Sequence, residues 1–386
     1  MFSSRLGWDQ HPNRLTELLA AKRAQGAPIL DLTQSNPTRA AIEYPAELTR
    51  AFDDPAVLRY DPLPAGSPAA REAVANYYRR RGHAVEPSRI LLTASTSEAY
   101  SYLFKLLADP GDQILAPRPS YPLFEYLAKM ESLEVRQYPL EYHGAWSIDM
   151  GALTAAITPR TRAIVLVNPN NPTGSYVKRA ELEALTQLAA ARGLALISDE
   201  VFSDYAFAAE PERVASLAGV EHCAAFAMSG LSKIAGLPQM KLGWIVAAGP
   251  PQFRVAAMQK LEWIADTYLS VGTPVQCAAA RLLESGEDVQ RQIRERTAAN
   301  LAFARRAAAG SAVEILAVEG GWSLILRVPR LRTEEEWCLH LLDRDNVLVQ
   351  PGYFYDFEAE AYLVASLLTP PAGFAAGIAR IVAQSR

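Results

Sequence analysis

The chain has 386 residues, of which 50% are apolar and 21% are charged, and its formal net charge is −4. This length is enough for two globular domains, and the absence of a basic run argues against a nucleic-acid partner. No apolar run is long enough for a membrane span, and three scattered cysteines argue against a disulfide framework, so we expect a cytoplasmic protein.

Between about residues 90 and 250, short apolar runs alternate with amphipathic stretches typical of helices. The apolar runs are RILLT, DQILAP, LEVRQYP, AIVLVNP, LALISDE, AAFAM and LGWIVAA. Apolar strands separated by helices are the pattern of a sheet that is covered on both faces. The sequence therefore predicts an α/β fold with a mostly parallel sheet and helices on both of its faces.

The rest of the chain predicts a second, smaller α+β unit. Residues 250 to 310 have the pattern of long helices, and VEIL, WSLILRV, NVLVQ and AYLVASLL have the pattern of strands. Further helices are expected near 333–343 and 371–384. We predict a large domain over residues 45–275 and a small domain formed by residues 1–44 together with 276–386.

Polar residues follow five of the predicted strands in the large domain. Since ligands of open parallel sheets bind beyond the carboxyl ends of the strands, these positions are the first candidates for a site. The groups are Ser95-Thr96-Ser97, Ser120-Tyr121, Asn170-Asn171-Pro172-Thr173-Gly174, Asp199-Glu200, and Ser229-Gly230-Leu231-Ser232-Lys233.

Two of these residues are the strongest candidates for a catalytic role. Lys233 is a candidate for a Schiff-base lysine, because an amine at the mouth of an apolar sheet is partly desolvated; a lone lysine is more often a surface residue. Asp199 ends a buried strand, so its carboxylate needs a cationic partner. A protonated pyridine nitrogen is such a partner, and a salt bridge or a helix cap is the alternative.

The other groups each have an ordinary interpretation beside a functional one. Ser95 to Ser97 precede a helix whose N-terminus could bind phosphate, although a simple N-cap explains them equally well. The loop around Asn171 is an unremarkable turn, or a rigid loop that orients an amide towards a ring substituent. Tyr121 is either a core aromatic or a ring that stacks on a flat ligand.

The segments GLSKIAGLPQMKLG and NNPTG, the latter about 28 residues before Asp199, together resemble the class I/II aminotransferases, which are fold-type I pyridoxal phosphate enzymes. This resemblance extends over nearly the whole chain. It implies pyridoxal 5'-phosphate as cofactor and a homodimer with shared active sites.

The resemblance also implies a role for each site residue. Lys233 would form the Schiff base and move the proton, and Asp199 would pair with the pyridine nitrogen. Asn171 would bind the phenolic oxygen of the cofactor, and Tyr121 would stack on its ring. The phosphate would be bound by Ser95, Thr96, Ser97, Lys241 and one of Ser229 and Ser232, with Tyr60 reaching the phosphate of the neighbouring subunit.

Three positions depart from the family pattern. Lys241 stands where the family usually has Arg, and a lysine offers a point charge instead of a bidentate fork. Phe202 replaces a tyrosine that donates to the phenolic oxygen. Val364 stands where the family carries the arginine that binds the substrate carboxylate, and Arg39 is the candidate replacement.

We therefore predict a pyridoxal phosphate-dependent aminotransferase that moves an amino group from a small amino acid or amine to a 2-oxo acid. The alternative is another pyridoxal phosphate reaction on the same fold, namely a decarboxylase, C–S or β-lyase, racemase or oxidase. A non-enzymatic relative would be expected to lack Lys233 or Asp199, and both are present. No metal site is predicted.

Overall fold

The computed structural model of the protein describes residues 2–8 and 11–385. The predicted small domain also includes residues 1, 9, 10 and 386, which lie outside the described residues. The strands are β1 (Leu30–Asp31), β2 (Ile90–Thr93), β3 (Gln113–Arg118), β4 (Glu134–Tyr142), β5 (Trp146–Ile148), β6 (Thr161–Val167), β7 (Ala195–Asp199), β8 (Ala225–Gly230), β9 (Gly243–Ala248), β10 (Glu314–Ile315), β11 (Ser323–Arg327), β12 (Val347–Leu348), β13 (Gln350–Pro351) and β14 (Tyr362–Ser366).

The α-helices alternate with these strands in the first two-thirds of the chain. They are α1 (Arg14–Ala24), α2 (Glu47–Arg50), α3 (Pro68–Arg80), α4 (Thr96–Leu107), α5 (Phe124–Met130), α6 (Met150–Ala156), α7 (Arg179–Arg192), α8 (Leu231–Ile234), α9 (Pro251–Asp266), α10 (Thr273–Ala308), α11 (Glu334–Asp345) and α12 (Pro371–Gln384). Among the described residues, no helix combines the length and the apolar character needed to cross a membrane.

The large unit of the molecule is built on a sheet that has eight strands among the described residues, in the order β2-β9-β8-β7-β6-β3-β4-β5. The pairs from β4 through β3, β6 and β7 to β8 are parallel, whereas β9 is antiparallel to both of its neighbours. Successive residues of a strand point to opposite faces, so Ile197 lies in the core that includes residues of α4, whereas Leu196 lies in the core that includes residues of α7. The predicted mostly parallel sheet, covered by helices on both faces, is confirmed.

The small unit is built on the antiparallel sheet β10-β11-β14-β13. The N-terminal segment joins it, because β1 pairs in parallel with β12. Helix α10 packs in both units: Leu282 lies in the core that includes β2 and β9, and Leu301 lies in the core of the small unit. The domain boundaries at 45 and 275 stay a prediction.

The two units meet closely at a pair of glycines. The Gly320 amide donates to the Gly174 carbonyl at 3.1 Å. Gly174 has φ +68°, and a Cβ atom placed on it would lie 2.4 Å from the Gly320 oxygen. No larger residue fits there, so the loop after β6 lies directly against the segment that leads into β11.

Candidate active site

A cavity of about 450 Å³ lies between the two units, at the carboxyl ends of β6, β7 and β8. Its walls combine the loops that follow these strands with the N-terminus of α4 and with residues of the small-unit sheet. This is the position that the topology of a parallel sheet predicts for a ligand site.

Lys233 lies in the short helix α8, directly after β8, and lines the cavity. Burial lowers the pKa of its amine, and the nearby Asp199 carboxylate opposes this shift. The Lys233 Nζ atom lies 5.2 Å from the centroid of the Trp322 ring and 5.7 Å from that of Phe202. An amine in this setting is more often neutral, and therefore more nucleophilic, than a lysine in water.

Asp199 ends β7 and lines the same cavity. Each of its carboxylate oxygens accepts one hydrogen bond at 3.2 Å, Oδ2 from the Tyr100 hydroxyl and Oδ1 from the Val201 amide. Burial nevertheless raises the pKa of Asp199 to about 6. A cation that entered the cavity would stabilise the ionised carboxylate.

The N-terminus of α4 brings Ser95, Thr96 and Ser97 to the cavity wall. Ser95 is the N-cap, and its Oγ atom accepts from the Glu98 amide at 3.2 Å. Ser232 and Lys241 line the cavity as well. Hydroxyls, an ammonium group and the N-terminus of a twelve-residue helix together favour an anionic group, such as a phosphate.

Asn171 and Tyr121 also line the cavity. The Ser323 hydroxyl donates to Asn171 Oδ1 at 2.9 Å, so the Asn171 amide nitrogen remains a donor for a ligand. The Tyr121 side chain is 49% exposed, which excludes the interpretation that it is an ordinary core aromatic.

Three residues of the sequence hypothesis do not line this cavity. The predicted strand ended at Met228, but β8 continues to Gly230, so Ser229 lies inside the strand and its hydroxyl faces the Glu200 carbonyl at 3.4 Å. Tyr60 is 81% exposed and lines a separate shallow cavity. Arg39 is exposed at the end of a short 3-10 helix, outside the cavity wall.

Ser229 lines a second cavity, of about 200 Å³, behind the strand end that carries Asp199. Glu200 lies in its wall and is only 2% exposed. Its Oε1 atom accepts from the Leu217 amide at 2.8 Å, and burial still raises its pKa to about 7.

Phe202 and Val364 both line the main cavity, as the family resemblance implied for their positions. The sequence reasoning missed other wall residues, among them Tyr100, Trp322 and Gln350. Tyr100 could have been found, since it lies three residues after Ser97 and hence on the same side of α4. Trp322 and Gln350 carried no such signal, because the fold brings them from a distant part of the chain.

The sequence pattern of class I and II aminotransferases matches residues 27–364. The chain therefore belongs to this family. The predicted family and the predicted aminotransferase are both confirmed.

Particular relatives are similar over different lengths of the chain. The arginine–pyruvate transaminase of Pseudomonas aeruginosa strain PAO1 is 29% identical over 375 residues, which cover 94% of this chain and 90% of the relative. An S-alkyl-thiohydroximate lyase of Arabidopsis thaliana is 32% identical over 230 residues, covering 58% of this chain and 49% of the relative. In such partial matches the chain spans about half the length of the curated relative or less.

Among solved structures, an alanine aminotransferase from Pyrococcus furiosus superposes with a TM-score of 0.89. The identity is 22%, and the superposition covers 100% of this chain and 99% of that one. This likeness supports the fold-type I architecture, and the fold alone.

Proposed function

We propose that the chain is a pyridoxal phosphate-dependent aminotransferase that moves an amino group from a small amino compound to a 2-oxo acid. The observation that carries the proposal is a desolvated amine and a buried carboxylate in one cavity, Lys233 and Asp199, beside the N-terminus of α4. Family membership supports the same reaction.

The residues present fit this cofactor. Pyridoxal phosphate carries a carbonyl carbon, a basic ring nitrogen and a phosphate, and each has a complement in the cavity. The Lys233 amine complements the carbonyl carbon, the Asp199 carboxylate the protonated nitrogen, and Thr96, Ser97 and Lys241 the phosphate. The Asn171 amide would bind the phenolic oxygen, and the Tyr121 ring would pack on one face of the cofactor.

When bound, pyridoxal phosphate withdraws electrons from the substrate carbon that carries the amino group. Residues of the chain have the other roles in the reaction. Asp199 stays ionised and keeps the ring nitrogen protonated, which strengthens this withdrawal. Lys233 Nζ would accept the proton from that substrate carbon and deliver it to the carbon of the cofactor's former carbonyl group, a role that suits an amine whose pKa is lowered by burial. The Trp322 and Phe202 rings exclude water around Nζ.

The experiment is the visible absorption spectrum of the purified protein with pyridoxal phosphate, before and after the addition of single amino donors. We expect a bound-cofactor band that Lys233→Ala abolishes, and its conversion to the pyridoxamine form by donor alone. If no bound-cofactor band forms, the cofactor proposal is wrong.

The second candidate is a lyase that uses the same cofactor, which the similarity to the Arabidopsis lyase favours. Both reactions begin with loss of a proton from the same carbon, so the site alone does not separate them. The same experiment does: a lyase releases product from the donor while the pyridoxamine form does not accumulate.

We propose further that the protein is a homodimer. Large apolar side chains are exposed on the face formed by residues 58–63 and 255–269: Leu58 is 89% exposed, Tyr60 81% and Trp263 77%. Tyr60 and Leu269 line one shallow cavity on this face. A second copy that covers it would bury these side chains and could bring Tyr60 to the neighbouring active site. The cytoplasmic location and the lack of a nucleic-acid partner stay predictions.

A further inference from the structure

The charged residues that line the main cavity all come from the large unit. Among the described residues that line it, the charged ones are Asp199, Lys233 and Lys241, and the proposed function assigns all three to the cofactor. The wall that the N-terminal segment and the small unit contribute is uncharged. Its members are Thr33, Ser35, Trp322, Ser323, Gln350, Tyr355, Val364, Ala365 and Ser366.

The centre of this wall is apolar with one amide beside it. Val364 is 2% exposed and packs with Ile325 and Tyr355. The register of the small-unit sheet sets Gln350 of β13 opposite Val364 of β14. Gln350 Oε1 accepts from the Tyr355 hydroxyl, which leaves the Gln350 amide nitrogen as a donor for a ligand.

The neighbouring hydroxyls are already engaged with protein partners. The Ser323 hydroxyl donates to Asn171 Oδ1, and the Ser366 hydroxyl donates to the Gln34 carbonyl at 2.6 Å. A substrate that reaches this wall therefore meets few donors, and none of them is charged.

Among the described residues, no arginine lines the cavity. Arg118 forms an ion pair with Glu358, and Arg296 donates to the carbonyls of Ala40 and Ala41. Arg39 is exposed and outside the lining. A carboxylate that entered against Val364 would lose its water without gaining a cation, whereas an uncharged group can be satisfied by the Gln350 amide.

We propose that the preferred amino substrate carries an uncharged polar group, such as a carboxamide or a hydroxymethyl group, where an α-amino acid carries its carboxylate. This inference rests on the proposed function and names its substrate class. The carbonyl acceptor enters the same cavity, so the amide of a 2-oxo acid should be a better acceptor than the acid itself.

The test compares matched donors that differ in this one group: L-alanine with L-alaninamide and L-alaninol, and L-phenylalanine with its amide. The rate of cofactor conversion is corrected at each pH for the fraction of unprotonated amine. We expect kcat/KM for the amide to exceed that for the acid by at least about tenfold, consistent with the cost of an unpaired buried carboxylate. An acid that reacts as well as its amide overturns the proposal, and indicates a cation supplied from outside this chain's cavity.

Two variants locate the effect. Val364→Arg should raise kcat/KM for the acid by at least about tenfold, because a guanidinium binds a carboxylate in two places, while the matched control Val364→Leu should not. If Val364→Arg does not fold, Gln350→Lys places a cation on the same wall. Failure of both folded variants to favour the acid overturns the assignment to this wall.

A binding measurement separates this inference from the proposed function. Calorimetry uses the Lys233→Ala protein saturated with pyridoxal phosphate, which loses the Schiff base but keeps the ring and phosphate contacts, and it gives the affinity for each donor without turnover. If no donor converts the cofactor in the unmodified protein, the proposed function fails. The order of affinities for amide and acid still supports or overturns the inference.

Discussion

Replacing Tyr100 by phenylalanine should make cofactor binding depend more steeply on pH. The Tyr100 hydroxyl is the donor to Asp199 Oδ2, and the other oxygen has only the Val201 amide. A hydrogen bond to a charged group contributes about 1.5–3 kcal/mol, and one pKa unit corresponds to about 1.4 kcal/mol, so its loss should raise the Asp199 pKa by about 1–2 units. The direction is upwards because the lost donor stabilises only the ionised form.

If the cofactor binds only when Asp199 is ionised, the change in its dissociation constant can be calculated from the ionised fraction of Asp199 in each protein. In the unmodified protein Asp199 has a pKa of about 6. With a pKa of about 7.5 in the variant, the cofactor dissociation constant should increase about 15-fold at pH 6 and about fourfold at pH 7, and the increase should vanish by about pH 9.

The assay is a titration of the apoprotein with pyridoxal phosphate between pH 6 and 9, followed by fluorescence. The matched control is Tyr138→Phe, because this buried hydroxyl donates to the Val165 carbonyl and does not contact Asp199. The reasoning is refuted if Tyr100→Phe weakens binding equally at every pH, since that result would indicate a packing defect.

Three further predictions concern stability, assembly and the phosphate. Because burial raises the pKa of Glu200 from 4.5 to about 7, the native apoprotein binds the extra proton and its free energy of unfolding falls as pH rises through this range. Glu200→Gln should reduce the loss of unfolding free energy between pH 5 and pH 8 by up to about 3 kcal/mol, as measured by urea unfolding at the two pH values. If the variant loses as much unfolding free energy as the unmodified protein, the raised pKa of Glu200 is not the cause. Trp263→Asp should convert the homodimer to a monomer in sedimentation equilibrium, whereas Leu331→Asp, at a 67% exposed position away from that face, should not. Lys241→Ala should weaken cofactor binding by about tenfold or more in equilibrium dialysis, and Lys241→Arg should preserve it. If Lys241→Ala binds the cofactor as tightly as the unmodified protein, Lys241 is not part of the phosphate site.

Much of the architecture could be predicted because each strand of the parallel core is a continuous apolar run. Strands that are buried on both faces show no alternation of polar and apolar residues. For this reason β6 and β7 could be recognised in the runs AIVLVNP and LALISDE. The strand β5 was not predicted, because three residues are too few to show a strand pattern. Its pairing with β4 stabilises it in the folded protein.

The site was predictable where it depends on strand ends and was not where it depends on tertiary contacts. Lys233 and Asp199 lie together because neighbouring parallel strands end at one edge of the sheet. Of the two serines predicted as alternatives for the phosphate, Ser232 lines the main cavity and Ser229 does not, because β8 continues for two more residues and pairs there with β9. The uncharged wall depends on the register of β13 against β14, which an apolar pattern alone does not reveal.

The close approach of Gly174 and Gly320 limits how the enzyme can open. This contact ties the loop that carries Asn171 to the segment that carries Trp322, and Ser323 reinforces it through its bond to Asn171. The two units cannot separate there without breaking a direct backbone contact. A rotation of the two units that preserves this contact would keep the loop of Asn171 and the segment of Trp322 beside each other.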